Sequence, residues 1–142
     1  MTLKTAQLMP RRVAFLLDNL SGGGAERVFL SIASGFADLG YTVDLLVCEL
    51  RGELCDSIPQ GVHLVVLQPG DRLSGFFTAA RTVGWSGAGA LMSWLARARK
   101  VPRSVCYINS IREYLLAQQP LVICSALGKS NINAFLAATS AR

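Results

Sequence analysis

Apolar positions along this chain fall into two kinds of run. Val13 to Leu17 is continuously apolar and short, the pattern of a strand buried on both faces. From Ala25 onward the apolar residues are Val28, Phe29, Ile32, Ala33, Phe36 and Leu39, which line one stripe of a helix. Glu26, Arg27, Ser31, Ser34 and Asp38 fall largely elsewhere. Gly40 supplies the left-handed residue that commonly ends a helix. Thr42 to Cys48, β-branched and apolar, reads as a second strand. Strand, loop, helix and strand together occupy roughly 35 residues, the size of a βαβ unit.

The same reading continues down the chain. Gly52 to Ile58 is at most a short helix, and Pro59 and Gly61 mark a turn. Val62 to Leu67 is a third strand, stopped by Pro69 and Gly70. Arg72 to Lys100 is mixed; within it Leu91, Trp94, Leu95 and Ala98 have helical spacing, with Arg97, Arg99 and Lys100 at the end and Pro102 as breaker. Val105, Ile108, Ile111 and Leu115 form another helical stripe, closed by Pro120. Leu121 to Cys124 is a fourth strand, and SALGKSNIN is a loop that opens a last helix near Ser130. Strands alternating with helices predict an α/β fold, a Rossmann-like open parallel sheet with helices on both faces. In such sheets the ligand crevice lies beyond the carboxyl ends of the strands, where strand order reverses. An order of 3-2-1-4 brings Ser21 to Gly24 and Ser125 to Asn131 to one crevice.

Composition narrows the class. The chain is 51% hydrophobic and 16% charged, which fits strands buried on both faces, or work at a membrane or beside another domain. No uncharged apolar run reaches the about 18 residues of a membrane span. MTLKTAQLMPRR has no apolar core of a secretory signal, so residues 1–11 read as a disordered lead and residues 12–142 as the domain. Cys48, Cys55, Cys106 and Cys124 are widely spaced, and the lone His63 sits in an alternating run. No metal site is expected, and free thiols point to a reducing cytoplasm. A net charge of +5 is compatible with phosphate-bearing ligands or an anionic membrane surface, though a solvated surface with a few extra arginines is the plainer account. No nucleic-acid motif is present, and no nucleic-acid partner is expected.

The chemistry concentrates in SGGGAER. Gly22 and Gly24 fit the first two places of the dinucleotide fingerprint G-x-G-x-x-G, and Glu49 stands where a ribose-binding acid belongs. Arg27 occupies the third glycine's place and opposes that reading. No Gly-Lys-Ser/Thr follows, so a P-loop is excluded. Two further readings stand beside the dinucleotide one: a loop that admits a phosphate or sugar, with the N–H groups of Gly24, Ala25 and Glu26 facing an anion, or a tight turn without a ligand.

VAFLLDNLSGGGAERVFLSIASGFADLGYTVDLLVCE resembles the start of GT-B-fold glycosyltransferases of family 4. The likeness rests on GGAER at Gly23 to Arg27 and on Gly40-Tyr41-Thr42-Val43 leading into the second strand. GELCDSIPQGVHLVVL resembles the passage before that family's third strand, and IREYLLAQQPLVICSALGKSNINAFLAA its next helix and strand. Leu121 departs from the usual Asp after the proline, and Arg72 to Pro102 matches only loosely. The likeness covers residues 12 to 138.

What the resemblance implies is sugar transfer from a nucleotide-sugar donor to a glycan or lipid-linked acceptor, with anomeric configuration retained and without a metal. The chain corresponds to the acceptor-side N-terminal domain, incomplete and without the C-terminal donor domain. It is therefore expected to be inactive alone. No pair of glutamates eight apart follows Asp44, so that family's E-x7-E motif is lacking. Gly22, Gly23, Gly24, Ala25, Glu26 and Arg27 are candidates for the donor diphosphate or acceptor, and Ser125, Gly128, Lys129 and Asn131 for a second crevice loop. Catalytic residues are not assignable, since the histidine that many relatives use has no counterpart in the second loop. Phe76, Phe77, Trp85, Leu91, Met92 and Trp94, with Arg81, Arg97, Arg99 and Lys100, suit peripheral contact with the inner face of the membrane or ordinary packing. An uncovered sheet edge would lead the chain to dimerise or aggregate. The competing functions are a stand-alone Rossmann-like nucleotide-binding module and a fragment of a dinucleotide-dependent oxidoreductase.

Overall fold

The computed structural model describes residues 11–82 and 103–141. Four strands form one parallel sheet: β1 (Arg12–Leu17), β2 (Thr42–Val47), β3 (Val62–Val66) and β4 (Val122–Ser125), in the order β3-β2-β1-β4. Helix α1 (Gly24–Asp38) lies on one face. The other face carries a helical segment over residues 72–82 (α2), α3 (Ile108–Gln118) and α4 (Gly128–Ser140). This is the Rossmann-like sheet that the alternation of strands and helices predicts.

Side-chain alternation explains why the buried positions of β1 and β2 are apolar, save Asp44. Val13, Phe15 and Leu17 join Val43, Leu45 and Val47 on the α1 face, where they meet Leu30, Ala33 and Leu54. Ala14, Leu16 and Leu46 turn to the opposite core, against Ile108, Ile111, Ala134 and Ala137. A central strand covered on both sides has no solvent-facing positions to make polar.

The end of α1 follows from its sequence. Gly40 takes φ +82°, its N–H donates to the Ala37 carbonyl, and the N–H of Tyr41 donates to that of Phe36. This pairing is a Schellman turn, sealed by the edge-on Phe36 and Tyr41 rings at 5.2 Å. Helix α2 begins inside the stretch that the pattern leaves mixed. Asp71 caps it, with Oδ2 accepting the N–H of Ser74. The helix expected over Leu91 to Lys100 lies outside the described residues.

One polar group is buried mid-sheet. Asp44 of β2 is 3% exposed and accepts hydrogen bonds from the Arg12 guanidinium and, at 2.6 Å, from the Tyr114 hydroxyl. Burial, then the bond to Asp44, raises the Tyr114 pKa above its ordinary value, and the bond to Asp44 raises that of Arg12. The three groups tie α3 to the sheet at the end opposite the crevice.

Candidate functional site

Adjacent strands β1 and β4 run out side by side, with Leu16 paired to Ser125. This is where strand order reverses. The loop after β1 and the loop after β4 therefore open at the same end of neighbouring strands. Gly22, Gly23 and Gly24 belong to the first of these loops and the start of α1, and Ser125, Gly128, Lys129 and Asn131 to the end of β4 and the start of α4.

The three glycines have different reasons to be glycine. Gly22 has φ +93°, a left-handed conformation that side chains resist. Gly23 is the N-cap of α1, extended, with no side chain to cap the helix. Gly24 is the first helical residue, and a Cβ there would meet no atom within 4 Å. Nothing in the described fold requires glycine at that position, and the space above its backbone is open.

Neighbouring charges are already engaged. Arg27 donates through Nε to the Gly22 carbonyl at 3.2 Å and through a terminal nitrogen to Glu53 at 2.9 Å. It braces the glycine loop. Glu26 is buried, and its carboxylate folds back over Gly23, so that a Cβ on Gly23 would lie 2.4 Å from Glu26 Oε2. A carboxylate at this spot offsets the positive end of the α1 dipole. Ala25 is half-buried behind it. The loop's base is pinned by the Leu20 N–H to the Arg51 carbonyl and the Leu54 N–H to the Leu20 carbonyl, at 2.9 and 3.1 Å.

On the second loop, Ser125 donates its hydroxyl to Asn131 Oδ1 at 2.8 Å. Leu127 caps α4 with φ +71°, and Gly128 begins the helix with open space where a Cβ would be. Lys129 is exposed. Ser130, which the pattern does not single out, is 1% exposed, and its hydroxyl has no hydrogen-bond partner among the described residues.

A cavity of about 440 Å³ lies beside this crevice, at the ends of β2 and β3. Glu49, Pro69, Gly70, Asp71, Arg72, Cys106 and Tyr107 line it. Glu49 is the acid expected at the end of the second strand, and it accepts from Arg51 at 2.7 Å. Its other walls come from segments far apart in sequence, so no local pattern marks them. Burial raises the Cys48 pKa to about 12, with Asp18 and Glu49 adding to the effect.

The aromatic–basic segment is seen in part. Phe76 is half-buried and Phe77 exposed on α2, their rings 5.9 Å apart, and Arg81 is exposed. Trp85, Leu91, Met92, Trp94, Arg97, Arg99 and Lys100 lie outside the described residues. Among the described residues no helix is long and apolar enough to cross a membrane, and no cluster of His, Cys, Asp or Glu is suited to a metal ion. In comparisons with known proteins, no family model and no curated protein matches the chain.

Proposed function

We propose that this chain is the acceptor-side domain of a retaining GT-B glycosyltransferase. On this reading the enzyme it serves moves a sugar from a nucleotide-sugar donor to a glycan or lipid-linked acceptor, in the cytoplasm or at the inner face of the membrane. The observation that carries the proposal is the strand order. A parallel sheet ordered β3-β2-β1-β4 sets the glycine loop and the α4 loop beside each other at the reversal point, where open α/β sheets bind ligands. The open space above Gly128 adds support, because it lets a ligand reach the N-terminus of α4. The role of the glycine loop is then close approach to the donor diphosphate, with most donor contacts supplied by a second domain.

Titration of the chain with a uridine or guanosine diphosphate sugar, and separately with NAD, tests the reading. Weak, saturable binding of the nucleotide sugar that moves the amide signals of Gly22 to Gly24 is expected, with no turnover by this chain alone. Tight NAD binding would instead favour the oxidoreductase reading, and an unmoved glycine loop would remove the proposal.

A further inference from the structure

We infer that the cavity at the ends of β2 and β3 is a subsite for one ring of a neutral, polyhydroxylated acceptor, held by the Tyr107 hydroxyl and the Glu49 carboxylate. This inference rests on the acceptor-side reading above and names the place where the acceptor sits. The volume of about 440 Å³ falls within the roughly 300–1,000 Å³ of small-ligand sites.

The walls are held in place without a ligand. The N–H of Gly70 donates to the Cys106 carbonyl at 2.9 Å, joining the two sides of the cavity. A Cβ on Gly75 would lie 2.1 Å from the Val105 carbonyl oxygen, so α2 packs directly on the chain that carries Tyr107. Ser110 donates its hydroxyl to the Gln68 carbonyl and fixes α3 to the end of β3. A site already shaped loses little entropy when a ligand arrives.

Its polar groups select the ligand's chemistry. Tyr107 is 8% exposed and lines the cavity, and its hydroxyl makes no hydrogen bond among the described residues. Burial, then the nearby Cys48, Glu49 and Asp18, raises the Tyr107 pKa above its ordinary value. A phenol both donates and accepts. Glu49 has one carboxylate oxygen on Arg51, leaving the other free to accept from a ligand. Asp71 caps α2 through Oδ2, and Arg72 adds donors beside it. Carboxylates accept and do not donate, so they require a ligand rich in O–H or N–H groups. Two acids balanced by Arg51 and Arg72 give neither a phosphate nor a cation an advantage. A sugar ring meets these demands, and the cavity's place at the strand ends puts such a ring next to the proposed donor crevice.

The test uses the whole chain, labelled with nitrogen-15. Methyl α-D-glucopyranoside, methyl α-D-mannopyranoside and methyl β-D-galactopyranoside are titrated to about 100 mM, where even weak binding registers. At least one should move the amide signals of Gly70, Asp71, Cys106 and Tyr107 saturably. Tyr107→Phe, which loses one hydrogen bond, and Glu49→Gln, which trades a charged acceptor for a neutral one, should each weaken that binding about five-fold. No saturable shift with any glycoside, or shifts indifferent to both variants, overturns the inference. Glu49 is exposed, so Glu49→Gln carries the test even if Tyr107→Phe fails to fold. Uridine diphosphate is run in parallel. If it moves Gly22 to Gly24 while no glycoside moves the cavity, the subsite alone fails. If a glycoside moves the cavity and uridine diphosphate leaves the loop unmoved, a sugar-binding cavity stands without its acceptor role, and the transferase reading fails.

Discussion

Tyr114→Phe removes one oxygen from the interior and measures how the buried Asp44 carboxylate is held. A carboxylate that is 3% exposed persists only while donors replace its water. Tyr114 supplies one donor at 2.6 Å, and Arg12 supplies another on the same oxygen. A hydrogen bond to a charged group contributes about 1.5–3 kcal/mol. Arg12 remains after the substitution, so Asp44 is not orphaned, and the 3–5 kcal/mol cost of a broken buried pair does not apply. The ring also remains, so no cavity opens. The expected loss is about 2 kcal/mol. With a urea dependence of about 1–3 kcal/mol/M, the unfolding midpoint should fall by about 1 M. The assay is urea unfolding, followed by circular dichroism, of the parent chain, Tyr114→Phe, Asp44→Asn and the double variant. Removing the hydroxyl should cost about 1 kcal/mol less once Asp44 is neutral. Alkaline pH supplies a second readout. Because the folded-state pKa of Tyr114 lies above 10.0, the folded chain keeps a proton that the unfolded chain releases. That stability is present below pH 10 and drains away above it, and Tyr114→Phe lacks the drain. A loss under about 0.5 kcal/mol, the range of inert surface changes, together with no coupling to Asp44, would refute the reasoning.

Four further outcomes follow from the same structure. Gly52 has φ +119°, and a Cβ there would lie 2.0 Å from the Leu20 carbonyl oxygen, so Gly52→Ala should destabilise by more than about 2 kcal/mol. Gly35→Ala, in exposed helix with open space around it, should stabilise by about 0.5–1 kcal/mol, and thermal melts of the two variants check the contrast. For Cys48 the pKa rises from 9.0 to about 12, so stability falls with rising pH across that window by up to about 1.4 kcal/mol per unit, and Cys48→Ala should flatten the slope in urea titrations at pH 9 to 11. The outer edge of β4 pairs with no strand among the described residues, and Val122 is 45% exposed beside Leu121. Self-association seen by analytical ultracentrifugation should therefore weaken in Val122→Lys, and a parent chain that stays monomeric at high concentration would count against an adhesive edge.

Periodicity carried most of the fold. β1, β2, β3 and β4, helix α1 with its Gly40 stop, and α4 are each legible from residues a few positions apart, because burial of a strand or helix face repeats at fixed local intervals. The reversal point between β1 and β4 also follows, since alternating strands and helices permit few chain paths. Helix α2 was the local miss. Its Asp71 cap is readable, but the run behind it has no clean stripe, and Phe77 points to solvent.

Other features depend on partners distant in the chain. Asp44 reads as a lone acid in an apolar strand until Arg12, 32 residues away, and Tyr114, 70 residues away, arrive beside it. Arg27 reads first as a solvated helix-face cation, with a phosphate contact as the alternative, until Glu53 is found across from it. The cavity wall needs Gly70 and Cys106 brought within one hydrogen bond. Local spacing decides which face of an element is buried. Which charges meet, and which surfaces enclose a space, depends on how the crossovers lay those elements against one another, and only the assembled sheet and its helices supply that.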